Sequence, residues 1–296
     1  MKVGLIDVDS HNFPNLALMK ISAYHKAQSD EVEWWWGWGQ YDRVYMSKVF
    51  DNTYSPDHPE PVNAKEIIKG GTGYGLDNKL PDEIEHMYPD YSLYPELTKQ
   101  KSFGFLTRGC PNNCPFCIVC AKEGRKSCKV ADLSEWWNGQ KNIVLNDPNI
   151  LACCDHMDLL RQLAESKAYV DFNQGLDARF LNEKNIRALN LVNTERIHFA
   201  WDLMKNSDMV IEGLLQYIKY GKIKDPSRRV VYVLTNFDTI MDENLYRIYR
   251  LVEMHYDPFV MVYNKPNAPK EIKRLQRWCN NRRIFKSCPR FEDYKG

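Results

Sequence analysis

From residue 102 onward the chain alternates between two hydrophobic periods. Short runs rich in β-branched and aromatic residues, at 103–107, 142–146, 169–173, 196–201, 229–235 and 259–264, read as strands. Between them apolar positions recur at helical spacing: Leu159, Leu160, Leu163 and Ala164 share one face, Val210, Ile211, Leu214, Leu215 and Ile218 another, and Leu245, Ile248, Tyr249 and Val252 a third. A last helix follows Pro269, with Ile272, Leu275 and Cys279 on its apolar side. The strand runs carry apolar residues on both faces, as parallel strands covered by helices do. Crossovers between parallel strands are right-handed, so six successive units predict a curved sheet or an incomplete barrel. A site then belongs at the carboxyl ends of the strands. Polar residues gather there, at 108–117, 146–149, 174–179, Asp202, Asn236 and Asp238.

The first 95 residues predict a smaller α/β unit, with strands at 3–8, 31–36, 43–46 and 66–68 and one clear helix at about 14–28. Residues 80–97, mixed in Pro and Tyr, have loop composition and read as a linker. The expected fold class is therefore α/β, a partial (βα)6 barrel over residues 96–296 preceded by a small Rossmann-like domain over residues 1–95.

Composition narrows the class. The 296 residues are 44% apolar and 27% charged, which excludes disordered and fibrous chains. No apolar run reaches the ~18–20 residues of a membrane helix, and Asp7 and Asp9 interrupt the only stretch where a signal peptide could lie, so a cytoplasmic protein is expected. Residues 1–100 hold 9 basic and 16 acidic side chains against 31 and 23 in the remainder, an asymmetry that suits a domain boundary near residue 100. Nine cysteines in a reducing compartment point to metal ligation or chemistry rather than disulfides.

The sharpest chemical signal is RGCPNNCPFCIVC. Cys110, Cys114 and Cys117 stand in C-x3-C-x2-C spacing directly after a predicted strand. Three thiolates on one loop can hold three irons of a 4Fe-4S cluster, which leaves the fourth open to a small molecule. Cys120 supplies a competing arrangement, because Cys114, Cys117 and Cys120 form C-x2-C-x2-C and Cys110 completes a four-thiolate site for a ferredoxin-type cluster or structural zinc.

C-x3-C-x-aromatic-C on the loop after the first of six βα units resembles the radical S-adenosylmethionine (SAM) enzymes. The resemblance covers roughly residues 102–296. It implies that Cys110, Cys114 and Cys117 ligate a 4Fe-4S cluster, that SAM chelates the open iron, and that an electron delivered by a flavodoxin- or ferredoxin-type donor cleaves SAM to a 5'-deoxyadenosyl radical. By the same resemblance Phe116 lies near the adenine, and Asp147 and Asn149 occupy the segment that receives the methionine amino group. Gln174, Arg179 and Asp202 match by position the groups that hold the SAM carboxylate and ribose, and Thr235 lies where the fifth strand approaches adenine. The substrate is not specified, a nucleotide or RNA being one class. A reading of another kind is a noncatalytic iron-sulfur or zinc protein that binds nucleic acid through its basic C-terminal segment.

Other features are weaker. Asp9-Ser10-His11, Ser47-Lys48-Val49 and Gly70-Gly71 loosely resemble, in order, three elements of the cobalamin-binding domains that precede the core in one radical SAM subgroup. Pro14 replaces a glycine, Val49 a leucine, and residues 37–40 leave no room for a helix, so cobalamin binding is not expected. Gly70, Gly71, Gly73 and Gly75 read as a loop rather than a phosphate cradle, since no helix start follows. Trp34, Trp35, Trp36 and Trp38 read as a contact surface. Residues 270–290 hold eight Lys or Arg and one acidic residue, with Trp278 and Phe285 interleaved, a composition compatible with RNA or a solvated helix face. Cys153 and Cys154 follow the second strand and are as compatible with burial as with chemistry.

Overall fold

A computed structural model describes all 296 residues. The elements run β1 Lys2–Asp7, α1 Leu16–Ala27, β2 Glu31–Trp34, β3 Tyr41–Ser47, β4 Ala64–Gly70, α2 Asp82–Glu85, α3 Pro95–Thr98, β5 Lys101–Gly104, β6 Thr107–Arg108, α4 Val119–Glu123, β7 Cys128–Lys129 and β8 Asn142–Leu145. There follow α5 His156–Ser166, β9 Tyr169–Phe172, β10 Leu176–Asp177, α6 Glu183–Leu191, β11 Ile197–Trp201, α7 Ser207–Tyr220, β12 Arg229–Thr235, α8 Met241–Glu253, β13 Asp257–Val262, α9 Lys270–Asn280 and α10 Arg282–Ser287. The fold is mixed α/β with mostly parallel pairing, and the chain forms two compact units: residues 1–104 with 131–143, and residues 105–130 with 144–296. No helix is long and apolar enough to cross a membrane.

In the first unit a parallel sheet has the order β2-β1-β3-β4. Alternate side chains of β1 point to opposite faces. Val3 and Leu5 pack with Leu18 and Ile21 of α1, while Ile6 joins Tyr41, Val44 and Met46 on the other side. Asn15 starts α1 by accepting from the Leu18 N–H at 3.2 Å. Residues 80–97, read from composition as a linker, instead form two short helices and a 3-10 turn, and Ile84 is buried in the core with Val3 and Leu5. Their turn-forming Pro and Tyr mark short helical turns here because the apolar side chains between them find a core to enter.

The second unit is built on β10-β11-β12-β13, all parallel. Arg229 and the whole of β12 except Tyr232 are buried. Ile248 of α8, Val260 of β13 and Leu275, Trp278 and Cys279 of α9 share one core. The helical faces depart from the hydrophobic pattern in an informative way: Leu215 and Val252 are exposed, whereas Asn244 and Arg247 of α8 are 0% exposed. Hydrophobic periodicity cannot anticipate a buried guanidinium, because that position is stabilised by specific acceptors rather than by transfer from water.

α7 approaches the turn at Ala178–Phe180 so closely that a Cβ on Gly213 would overlap the Ala178 carbonyl. Gly213→Ala is therefore expected to destabilise the protein by about 1–3 kcal/mol through overpacking. Urea unfolding checks it; an unchanged midpoint would mean that the backbone absorbs the methyl group without cost.

Candidate functional site

The cysteine loop grows out of a short antiparallel ribbon in which Arg108 faces Cys128 and Thr107 faces Lys129. Gly109, with φ +84°, turns the chain where any Cβ would strike the Lys126 carbonyl. Glu123, at the end of α4, closes the loop at its base. Its carboxylate accepts from Arg108 Nη1 at 2.7 Å and from the Gly109 N–H at 3.1 Å, and the Cys110 N–H donates to the Gly124 carbonyl at 3.2 Å. Within the loop Cys117 N–H donates to the Cys114 carbonyl at 3.0 Å, which folds the two cysteines into one turn.

A carboxylate pins this loop to the rim. Asp177, at the end of β10, accepts from Asn112 Nδ2 at 2.8 Å, from Asn149 Nδ2 at 3.0 Å, and from Arg179 Nε and Nη2, both at 2.8 Å. Asn112 sits between Cys110 and Cys114, and Asn149 follows β8. Arg179 and the other donors hold the Asp177 carboxyl below its usual range despite burial. Asn149 Nδ2 also lies 3.7 Å from Cys110 Sγ, while its Oδ1 is buried with no hydrogen-bond partner.

Asp202 belongs to the same electrostatic neighbourhood. Burial pushes its carboxyl up to about 6, Arg247 and Arg179 pull it down, and Asp177 raises it. Burial and the Asp202 charge push the Cys114 thiol up to about 11, and Arg179 opposes them. Burial raises the Cys117 thiol as well. Beneath the rim Arg247 donates to the carbonyls of Trp201, Asp202 and Leu234 at 2.8, 2.9 and 2.8 Å and to Asn244 Oδ1 at 2.7 Å. It thereby caps the carboxyl ends of β11 and β12. Phe116 packs edge-on against Phe237 at 5.4 Å, and Phe237 against Tyr263 at 5.0 Å, so the cysteine loop touches the segment after β12, which in turn packs on the residue after β13.

Cys110, Cys114, Cys117, Phe116, Asn149, Arg179 and Asp202 thus converge. Asp147 is committed elsewhere: it is 5% exposed, and its carboxylate takes the Leu106 N–H at 2.7 Å, the Thr107 N–H at 2.9 Å and the Thr107 hydroxyl at 2.7 Å. It fastens the strand that leads into the cysteine loop. Thr235 is 0% exposed and its hydroxyl donates to the Met261 carbonyl at 3.1 Å. Gln174 is exposed on the turn after β9. Asn112 and Asp177 lie in the polar stretches 108–117 and 174–179 that the sequence places at strand ends, although neither was singled out, whereas Glu123, Arg247 and Phe237 were missed.

Other motifs resolve into packing. In the first unit Asp9 accepts from the Val49 and Phe50 N–H groups at 2.8 and 2.9 Å, and Asn15 Nδ2 donates to the Ser10 and Ser47 hydroxyls at 3.1 and 2.9 Å. These bonds tie together the loops after β1 and β3, where an open α/β sheet of this order places its crevice. Gly71 and Gly73 lie against the Lys48 and Phe50 carbonyls, where a Cβ does not fit. Trp34 packs edge-on against Tyr94 but is exposed, as are Trp36 and Trp38. In the second unit Lys270, Lys273, Arg277, Arg283 and Lys286 are exposed, but Trp278 is 0% exposed and packs on Phe285 at 4.7 Å. That aromatic pair belongs to the core, so the basic segment presents charge rather than stacking faces.

No protein-family model matches the chain, and no curated protein matches it.

Asp147 yields a pH prediction. Burial outweighs its three hydrogen bonds and pushes its carboxyl up to about 7. A carboxyl raised above its unfolded value of about 3.9 adds stability below that value, and the gain is lost as pH rises through about 7. Wild type is expected to lose unfolding free energy relative to Asp147→Asn between about pH 5 and about pH 8. Urea melts of both proteins at the two pH values measure it, and a constant difference contradicts the assignment.

Proposed function

We propose that this protein is a radical SAM enzyme, in which Cys110, Cys114 and Cys117 hold a 4Fe-4S cluster whose electron cleaves SAM to methionine and a 5'-deoxyadenosyl radical. The observation that carries the reading is convergence: three thiols in C-x3-C-x2-C spacing share one turn-rich loop with a polar rim drawn from the ends of β8, β10 and β11. A small metal module needs neither the rim nor the parallel sheet behind it.

The residues fit the group they would hold. Three thiolates satisfy three irons and leave one open. Ligation replaces the thiol protons, which burial otherwise retains on Cys114. Asn149 Oδ1 is a buried acceptor without a partner beside a ligand cysteine, a position that suits an ammonium donor such as the methionine amino group. Asp202 adds negative charge in a buried setting, and Arg179, fixed by Asp177, presents positive charge for a carboxylate. Phe116, held by Phe237, offers an aromatic edge for the adenine. The contact of Phe116 in the cysteine loop with Phe237 after β12 supports a partial (βα)6 barrel, because a flat sheet keeps its first unit apart from its later ones. A one-electron donor of flavodoxin or ferredoxin type and a cytoplasmic setting follow from the same reading.

One observation favours a four-thiolate site: the Cys120 thiol donates to the Cys110 carbonyl at 3.0 Å, inside the same loop. Single substitutions separate the two. Cys110→Ala, Cys114→Ala and Cys117→Ala are each expected to abolish iron binding after anaerobic reconstitution, while Cys120→Ala retains about four irons per chain and forms 5'-deoxyadenosine from SAM under reducing conditions. Cluster loss on changing Cys120, or a stable cluster that never cleaves SAM, would favour a noncatalytic iron-sulfur or zinc protein.

Asn149→Ala should weaken SAM binding by about tenfold or more, since a hydrogen bond to a charged group is worth about 1.5–3 kcal/mol. Titration of the cluster's paramagnetic resonance signal with SAM measures it. An unchanged dissociation constant removes Asn149 from the SAM site and leaves the cysteine assignment intact.

A further inference from the structure

The turn that follows the β8 loop carries Cys153, Cys154 and Asp155, and none of the rim described above uses them. One donor atom from each lies within 4.8 Å of the other two. Asp155 Oδ2 stands 3.2 Å from Cys154 Sγ and 4.0 Å from Cys153 Sγ. Cys153 is 1% exposed, whereas Cys154 and Asp155 face solvent. The backbone is fixed on both sides of the trio: Cys153 N–H donates to the Ile150 carbonyl at 3.1 Å, and His156 N–H donates back to the Cys153 carbonyl at 3.2 Å.

We infer that Cys153, Cys154 and Asp155 form a second metal site, open to solvent on one side, for a thiophilic divalent cation of the zinc and cadmium type. Two thiolates and a carboxylate make a soft, anionic donor set, which excludes magnesium and calcium as preferred ions. The geometry is close to what such an ion needs. Zn–S bonds of about 2.3 Å in a tetrahedron place two sulfurs about 3.8 Å apart, so a spread within 4.8 Å closes by about 1 Å through side-chain rotation.

Charge decides between an ion and a fortuitous neighbourhood. Both thiols ionised beside Asp155 would place three negative charges within 4.8 Å, an arrangement that is stable only around a cation. Binding therefore releases the two thiol protons and replaces them by one divalent ion. His156 is not a fourth ligand in this arrangement, since Nδ1 meets the Cys153 carbonyl at 2.6 Å and Nε2 meets Asn185 Oδ1 at 3.0 Å. The fourth position falls to water or an exchangeable ligand, the coordination of an open rather than a purely structural site.

This site does not depend on the radical SAM reading, and the test keeps the two apart. Full-length protein carrying Cys110→Ala, Cys114→Ala and Cys117→Ala is loaded with cadmium alone, desalted and analysed for bound metal and for thiolate-to-cadmium absorption in the ultraviolet. It should retain about one ion per chain, lost on adding Cys154→Ala and held about tenfold more weakly with Asp155→Asn. Cys154 is exposed, so its removal spares the core. The wild-type chain with its cluster loop intact serves as the second measurement: it should bind about one cadmium more than its Cys154→Ala variant. Retention that ignores Cys154 in both backgrounds, or no retained ion at all, overturns the inference.

Discussion

The arrangement of this site depends on one carboxylate. Asp177 gathers Asn112 from the cysteine loop, Asn149 from the loop after β8 and the guanidinium of Arg179, so three separate segments are held by a single, largely buried anion. A buried carboxylate is tolerated only when its acceptor capacity is filled, and charge-assisted bonds are the strong ones. The same condition that makes Asp177 costly in isolation makes it an effective clamp: removing Arg179 leaves an uncompensated charge, and removing either amide leaves an acceptor unfilled. The loop that carries Cys110, Cys114 and Cys117 contains almost no secondary structure of its own. Its shape is set at the base by Glu123 and at the tip by Asp177.

The same logic recurs below the rim. Arg247 is fully buried and satisfies carbonyls at the ends of β11 and β12, where strands stop and their acceptors would otherwise lack partners. Desolvation pulls its guanidinium down to about 10, and the nearby Asp202 charge opposes that pull. Asp147 performs the corresponding task for the N–H groups of Leu106 and Thr107. Buried ions here stand where β-structure ends, and they fix the geometry of the edge from which any ligand must be held.

Much of the fold was legible in the chain. The strands at 169–172, 197–201 and 229–235 and the helices α5, α7 and α8 follow hydrophobic runs and helical spacing, because burying an apolar face is a local, periodic demand. The shared loop of Cys110, Cys114 and Cys117 was legible for a related reason: residue spacing within one short loop is a local property. What was illegible is pairwise. Nothing local distinguishes Asp177, which clamps the loop, from Asp147, which caps a strand. Each is an acidic residue near a strand end, and only the partner 65 or 40 residues away separates their roles. Arg247 and Asn244 interrupt an amphipathic helix pattern for the same reason, and residues 80–97 read as a linker until Ile84 is seen to enter a core.

The sequence by itself determined an α/β protein, the segments that become its strands and helices, and a loop that carries Cys110, Cys114 and Cys117 in C-x3-C-x2-C spacing. Those features depend on side-chain period and on neighbours a few residues apart. Tertiary structure decided which polar residues meet the loop and which are consumed in capping the backbone. The physical reason is that hydrogen bonds and charges act over a few ångströms in space, so their partners are chosen by the packing of distant segments and leave no period in the chain.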